Sequence, residues 1–226
     1  MSSDGYVTET REVSDFDRVT LKEFGKLIIQ QGEEEALSIE THSDLLPKIL
    51  SEVKNGELIL GLKGGVLDKF TDFLSTSLSG HRITFHLTVK DLRALNVSGA
   101  ASVDVQALQT DSIAFLLSGA GSIDSDGLTA EFVEVRLSGT GKIELRGEAE
   151  AQQILISGAG GYVARKLKTN EARIKLSGAG KAIVWAVEDL EIKISGLGSV
   201  DYYGEPELKL DITGLGNVVG LGEPKS

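Results

Sequence analysis

Apolar and polar residues alternate with period two through most of the chain, and glycine interrupts the alternation at regular intervals. The interruption is a Ser/Thr-Gly-x-Gly motif, with Ala101 as the one departure, beginning at Ser98, Ser118, Ser138, Ser157, Ser177, Ser195 and Thr213. Successive copies are 20, 20, 19, 20, 18 and 18 residues apart. The residue before each hydroxyl is apolar (Val97, Leu117, Leu137, Ile156, Leu176, Ile194, Ile212), as is the residue two further back (Leu95, Phe115, Val135, Ile154, Ile174, Ile192, Leu210). Mostly polar residues such as Asn96, Arg136, Lys175, Lys193 and Asp211 lie between, so the segment is extended and buries one face. A second short strand follows the glycines, with Val103, Ile123, Ile143, Tyr162, Ala182, Val200 and Val218 in one column. Strand, glycine bend, strand and turn in 18 to 20 residues make one coil of a parallel β-helix. Seven such coils make a rod segment roughly 33 Å long at the spacing of paired strands.

Continued across the motif, the alternation turns the first and third residues after the hydroxyl inward, and thirteen of these fourteen are glycine. The structural glycines are thus Gly119, Gly121, Gly139, Gly141, Gly158, Gly160, Gly178, Gly180, Gly196, Gly198, Gly214 and Gly216, placed where the backbone bends sharply or two walls come close. The residue between them (Ala100, Ala120, Thr140, Ala159, Ala179, Leu197, Leu215) faces out. The hydroxyls form a ladder, each able to bond a neighbour or the adjacent backbone. A phosphate-cradling loop is the other meaning of Ser138-Gly139-Thr140-Gly141. No copy leads into a helix with a lysine or an acidic ribose partner, which argues against it.

Residues 1–90 read as a β-rich segment in which the repeat is blurred, and 91–226 as the regular solenoid, the two forming one continuous unit. Val19, Leu21, Gly25, Leu27 and Ile29 keep the shape of a degenerate coil. A strand at Leu37 to Glu40, a short helical turn after Ser43 or Asp44 and a hairpin at Asn55-Gly56 follow. Val66, Leu67, Phe70, Phe73 and Leu74 recur at helical spacing and predict an amphipathic helix over 66–74, within an insertion reaching residue 78. Such a helix would cover a flank or open end of the solenoid, or serve self-association; Asp68, Lys69 and Asp72 supply too few cations for a membrane helix.

Composition narrows the function classes. A net charge of -11 disfavours nucleic acid, which needs clustered Lys and Arg. The absence of cysteine removes disulfides, thiolate metal sites and cysteine nucleophiles. No apolar run reaches the roughly 18 residues of a membrane helix, and Met1 to Tyr6 carries no signal-peptide core.

The seven glycine coils, the opening "TETREVSDFDRVTLKEFGKLIIQQGEE" and the stretch "LLPKILSEVKNGELILGLK" together resemble the bacterial head GIN domain family, named for auto-transporter adhesins. The likeness runs from about Val7 to Pro224. It implies a right-handed parallel β-helix, related in architecture to pectin-lyase-like solenoids, in an exported, periplasmic or cell-surface protein whose native export signal lies outside this sequence. It brings no catalytic residues. The insertion at Val66 to Leu78 departs from the family's shorter loop.

Candidate chemistry is sparse. His42, His81 and His86 lie outside the clear coils, and no serine pairs with a histidine and an acid in a recognisable motif. Asp104, Asp124 and Glu144 stand six positions after the hydroxyl in consecutive coils, so stacking brings them about 5 Å apart on the outer face. Unneutralised, such a column would raise its own pKa values and recruit Ca²⁺ or act as paired acids; neutralised by Lys142, Arg136 or Arg146, it is a solvated face. Tyr162, Trp185, Tyr202 and Tyr203 are the aromatic residues able to stack on a sugar. No other cofactor is expected. The leading reading is a non-catalytic envelope module for adhesion to a surface glycan or protein. The alternatives are a carbohydrate-active enzyme using the acidic face and a scaffold that assembles end to end.

Overall fold

The computed structural model describes residues 5–63 and 82–224; the segment 66–74 and His81 lie outside the described residues. Strand makes up 67% of the chain, and the helical element among the described residues is a single 3₁₀ turn, Leu46–Lys48. That turn is the one expected after Asp44.

Parallel strands stack into a β-solenoid of about six turns. One wall begins with β5 (Ile49–Lys54) and β6 (Glu57–Leu62). It continues through β2 (Arg18–Leu21), β8 (Ala94–Val97), β10 (Leu108–Leu117) and the C-terminal halves of β11 (Ser122–Leu137), β12 (Lys142–Ile156), β13 (Gly161–Leu176) and β14 (Lys181–Ile194), and ends in β16 (Glu207–Ile212). The other wall begins with β1 (Tyr6–Arg11), β4 (Ala36–His42) and β7 (Thr84–Val89). It continues through β3 (Lys26–Gln31), β9 (Ser102–Val105) and the N-terminal halves of β11 to β14, and ends in β15 (Ser199–Tyr203) and β17 (Asn217–Gly220). The degenerate coil is real: β2 pairs in register with β8, and β3 with β9. Antiparallel β5 on β6, and β1 on β4 with β4 on β7, close the N-terminal end. Asn55 and Gly56, both at positive φ, make the expected hairpin turn.

Register is in phase from coil to coil, so the apolar columns become the core. Val97, Leu117, Leu137, Ile156, Leu176 and Ile194 are all buried, as are Leu95, Phe115, Val135, Ile154, Ile174 and Ile192. The two strands and two corners expected per coil are joined by a third short segment. In β11 the inward positions run Ile123, Ser125, then Leu128, then Val133, Val135 and Leu137, changing phase at Gly127 (φ +87°) and again after Ala130. A short segment with one buried residue gives too little alternation to be seen in sequence.

The motif glycines answer to the neighbouring coil. The corner is itself a ladder: Ser138 N–H donates to Leu117 O (3.0 Å), Thr140 N–H to Gly119 O (3.1 Å) and Lys142 N–H to Gly121 O (3.1 Å). A Cβ on Gly139 would stand 1.9 Å from the Gly119 carbonyl oxygen, and one on Gly158 would stand 2.0 Å from that of Gly139. On Gly141 it would meet Gly121 O at 2.2 Å and Leu117 Cδ2 at 2.7 Å. Close approach along the stack, rather than an unusual φ, therefore selects glycine.

Replacing Gly139 by Val forces two coils apart at backbone level. It should cost at least about 4 kcal/mol and lower the thermal midpoint by roughly 10 °C or more. Ala159→Leu, at the outward position already held by exposed Leu197 and Leu215 in later coils, should stay within about 0.5 kcal/mol of wild type. Thermal melts of the two variants check both statements.

Candidate binding surface

The acidic column exists as stacked. Asp104 is the register partner of Asp124, and Asp124 of Glu144. Each carboxylate also has a cation. Lys26 Nζ lies 2.7 Å from Asp104, Arg146 bridges Asp124 (2.7 Å) and Glu144 (2.6 Å), and Lys142 Nζ lies 2.5 Å from Glu144. The hydrogen bond from Lys142, with the guanidinium of Arg146, holds the Glu144 carboxyl below the usual carboxylate range. The bond to Asp124 in turn raises Arg146. Arg136, expected to relieve this column, instead pairs with Glu134 on the other wall at 2.7 Å. Lys26 comes from the degenerate coil, where β3 stacks in register on β9 with Lys26 opposite Ser102 and Ile28 opposite Asp104. Among the described residues no group of three His, Asp or Glu side chains is placed to hold a metal ion, and Ca²⁺ at this column would have to displace these cations.

The four aromatic residues divide. Tyr162 is fully buried and cannot stack on a ligand; its column mates Val103, Ile123 and Ile143 were the signal that it points inward. Burial pushes its phenol pKa up. The Tyr162 hydroxyl donates to Gln152 Oε1 (2.8 Å), Gln152 Nε2 donates to Thr169 Oγ1 (2.9 Å), and that hydroxyl donates to the Trp185 carbonyl (2.9 Å). Gln152 and Thr169 occupy inward positions, and sequence gave no sign of them. Tyr202 is half-buried against the core. Trp185 and Tyr203 are register partners on the outer face, and Lys168 Nζ stands 6.0 Å from the Trp185 ring centroid. Arg165 and Lys166 are exposed nearby in sequence, and no described carboxylate pairs with either of them or with Lys168. Val163 and Ile183 continue the face between the acidic column and Trp185.

The serine ladder is exposed from Ser98 to Thr213, and its hydroxyls make no side-chain hydrogen bond among the described residues. Ser118, Ser138, Ser157 and Ser177 instead rim a shallow groove of about 590 Å³ with Leu116, Leu155, Arg136 and Lys175. Two further hollows, of about 730 and 180 Å³, are lined around Asp91 with Gln109 and around Arg173 with Glu191. None of the three hollows contains Asp104, Asp124 or Glu144. His42 stacks edge-on against Tyr6 with centroids 6.3 Å apart, and His86 lies exposed on β7, opposite Ser38.

Because the Glu144 carboxyl titrates lower when folded than unfolded, its charge stabilises the fold above the unfolded pKa, and that gain is lost as pH falls through the folded value. Glu144→Gln should therefore be less stable than wild type by about 1–2 kcal/mol at neutral pH. The difference should close as pH drops below the ordinary carboxylate range, around 4. Denaturant midpoints across that range measure it.

No match is found among curated proteins. Among solved structures, a "putative adhesin" of Bacteroides fragilis NCTC 9343 superposes with a TM-score of 0.87 at 22% identity, covering 97% of this chain and 98% of that one. A "putative lipid binding protein" of Parabacteroides distasonis ATCC 8503 follows with a TM-score of 0.75 at 19% identity, with coverage of 97% and 98%. A "putative adhesin" of the same organism has a TM-score of 0.70 at 21% identity, with coverage of 96% and 98%. At these identities the likeness is one of fold. A family model described as "Putative auto-transporter adhesin, head GIN domain" matches residues 15–206. The chain belongs to that head GIN domain family.

Proposed function

We propose that the protein is a non-catalytic adhesion module of the bacterial cell surface that holds an acidic surface glycan against the Trp185–Tyr203 face. The family description as an adhesin supports the surface role, and no helix among the described residues is long and apolar enough to cross a membrane. The observation that carries the ligand class is the register pair of Trp185 and Tyr203 with Lys168 6.0 Å from the indole ring, and with exposed Arg165 and Lys166 close by along the same strand. In a protein of net charge -11 these three cations have no described carboxylate partner. Sugar rings present apolar C–H faces that suit an aromatic platform, and a uronic or sialic carboxylate suits the ammonium and guanidinium groups. The buried chain from Tyr162 to the Trp185 carbonyl fixes the backbone under the indole, so the platform is preorganised. Asp104, Asp124 and Glu144, which an enzyme would use, are engaged in ion pairs, and the reading leaves them structural.

A glycan array probed with the purified chain, in Ca²⁺ and in EDTA, tests this. Acidic glycans should bind equally under both conditions. Trp185→Ala and the double variant Lys166→Glu/Lys168→Glu should each weaken that binding at least about tenfold, the equivalent of about 1.4 kcal/mol. An array without acidic hits, or variants that bind like wild type, would sink the proposal.

A further inference from the structure

The two ends of the solenoid are finished differently. At the N-terminal end the outermost strands are antiparallel, and Arg11 on β1 straps across to the other wall. Its Nη1 donates to Ile49 O and Ser51 Oγ, both at 2.9 Å, and its Nη2 donates to Leu46 O at 3.0 Å. Leu45 and Ile49 are buried beneath it. An inward-turned charge of this kind blunts an edge against further strands. At the C-terminal end, among the described residues, β16 pairs with β14 alone and β17 with β15 alone. Leu210 and Ile212 stand in register over Ile192 and Ile194, which are 0% and 1% exposed, yet they are themselves 49% and 40% exposed. Leu215 (83%) and Leu221 (43%) are also exposed in this last stretch.

We propose that a second copy of this chain covers that end, joining tail to tail about a two-fold axis, with β16 pairing antiparallel to β16 of the second copy across Leu210. The charges of β16 select this register. Centred on Leu210, Lys209 faces Asp211 of the second copy and Asp211 faces its Lys209, while Leu208 faces Ile212 on the inner side. Centring on Lys209 would set Glu207 against Asp211 and lysine against lysine. Centring on Leu208 would place Pro206, which has no N–H, in the ladder and leave Ile212 uncovered. A slip of half a step would set inward against outward residues. The same two-fold brings β17 to β17, so both walls continue across the joint. Because the contact is isologous it closes at two copies.

The chain contains no cysteine, so a single Leu210→Cys can disulfide-bond only to itself across the axis. The Cα separations of facing antiparallel residues, about 4.5–5.5 Å, permit that bond. Mild copper-catalysed oxidation of Leu210→Cys should give a dimer on a non-reducing gel, while Glu52→Cys, on the N-terminal edge strand, should stay monomeric. In sedimentation velocity over a concentration series, wild type should pass from monomer to dimer and stop there. Lys209→Asp and Asp211→Lys should each weaken association at least about tenfold, and the double exchange should restore it, with circular dichroism melts confirming folded protein. If a charge variant does not fold, the cross-link decides. A wild type that stays monomeric at high concentration, species that grow beyond the dimer, no cross-link at position 210, or a double exchange as weak as the single changes would each overturn the proposal.

Discussion

Successive coils of this protein lie one hydrogen bond apart along both walls and at the glycine bend. A solenoid whose corners bulged could let its strands drift in register. Here the corner backbone is laddered as tightly as the walls, with Thr140 N–H on Gly119 O and Ala159 N–H on Gly139 O, both at 3.1 Å. No side chain fits between peptide planes at that distance, which is why glycine recurs, while the residue between the glycines turns outward and is alanine in some coils and leucine in others. With the corner fixed, the strands that flank it are fixed with it, and there a residue's neighbours along the rod are its counterparts one period away; the register shifts fall in the stretch between, as at Asp126/Leu128 and Val163/Lys168.

That constraint sets the electrostatics of the outer faces. Stacking in register places like on like, so three acids in one column meet at strand spacing, and a chain with net charge -11 has no surplus of cations to spread among them. The cations come from other columns. Arg146 reaches back one coil to Asp124 and along its own strand to Glu144, and Lys26 reaches in from the first coil to Asp104. The same arrangement recurs at Lys181 with Asp201 and at Arg173 with Glu191. The column of Asp104, Asp124 and Glu144 is thus a ladder of satisfied ion pairs.

How far the fold was legible follows from the same point. Period-two alternation with a fixed repeat identifies strands, columns and corners, because only a constant backbone path can keep apolar residues in phase over seven copies. The pattern does not tell which neighbour a long side chain chooses, and so Arg136 and Arg146 could not be assigned before the structure. A segment with one inward residue, such as that at Leu128, was also invisible. Tyr162 was misjudged for a different reason. Its aromatic ring and hydroxyl suggest a surface, but its column is apolar in the neighbouring coils, and Gln152 supplies the hydroxyl's partner from inside. Column membership outweighs residue type in a stack of this kind. By the same rule Trp185 and Tyr203, eight positions after their hydroxyls, belong together on the outside.

The last coils depart from the repeat in one direction. The corner position is alanine or threonine in five copies and becomes leucine at Leu197 and Leu215, and Trp185, Tyr203 and Val219 appear on the outer face within the same stretch. Among the described residues, exposed apolar side chains are therefore concentrated in the last coils rather than spread along the solenoid, as expected if contacts are made there. The aromatic platform lies close to the open edge. A tail-to-tail pair would set two platforms near the centre of a doubled rod, related by the two-fold axis. A ligand repeated along a polymer or crowded on a surface could then occupy both, and the second contact would form at the effective concentration set by the rigid joint. Modest single-site recognition on a shallow face would suffice for adhesion under that geometry. A shallow face is what coils of 18 to 20 residues can build, since they leave little chain for the long loops that wall a deep pocket.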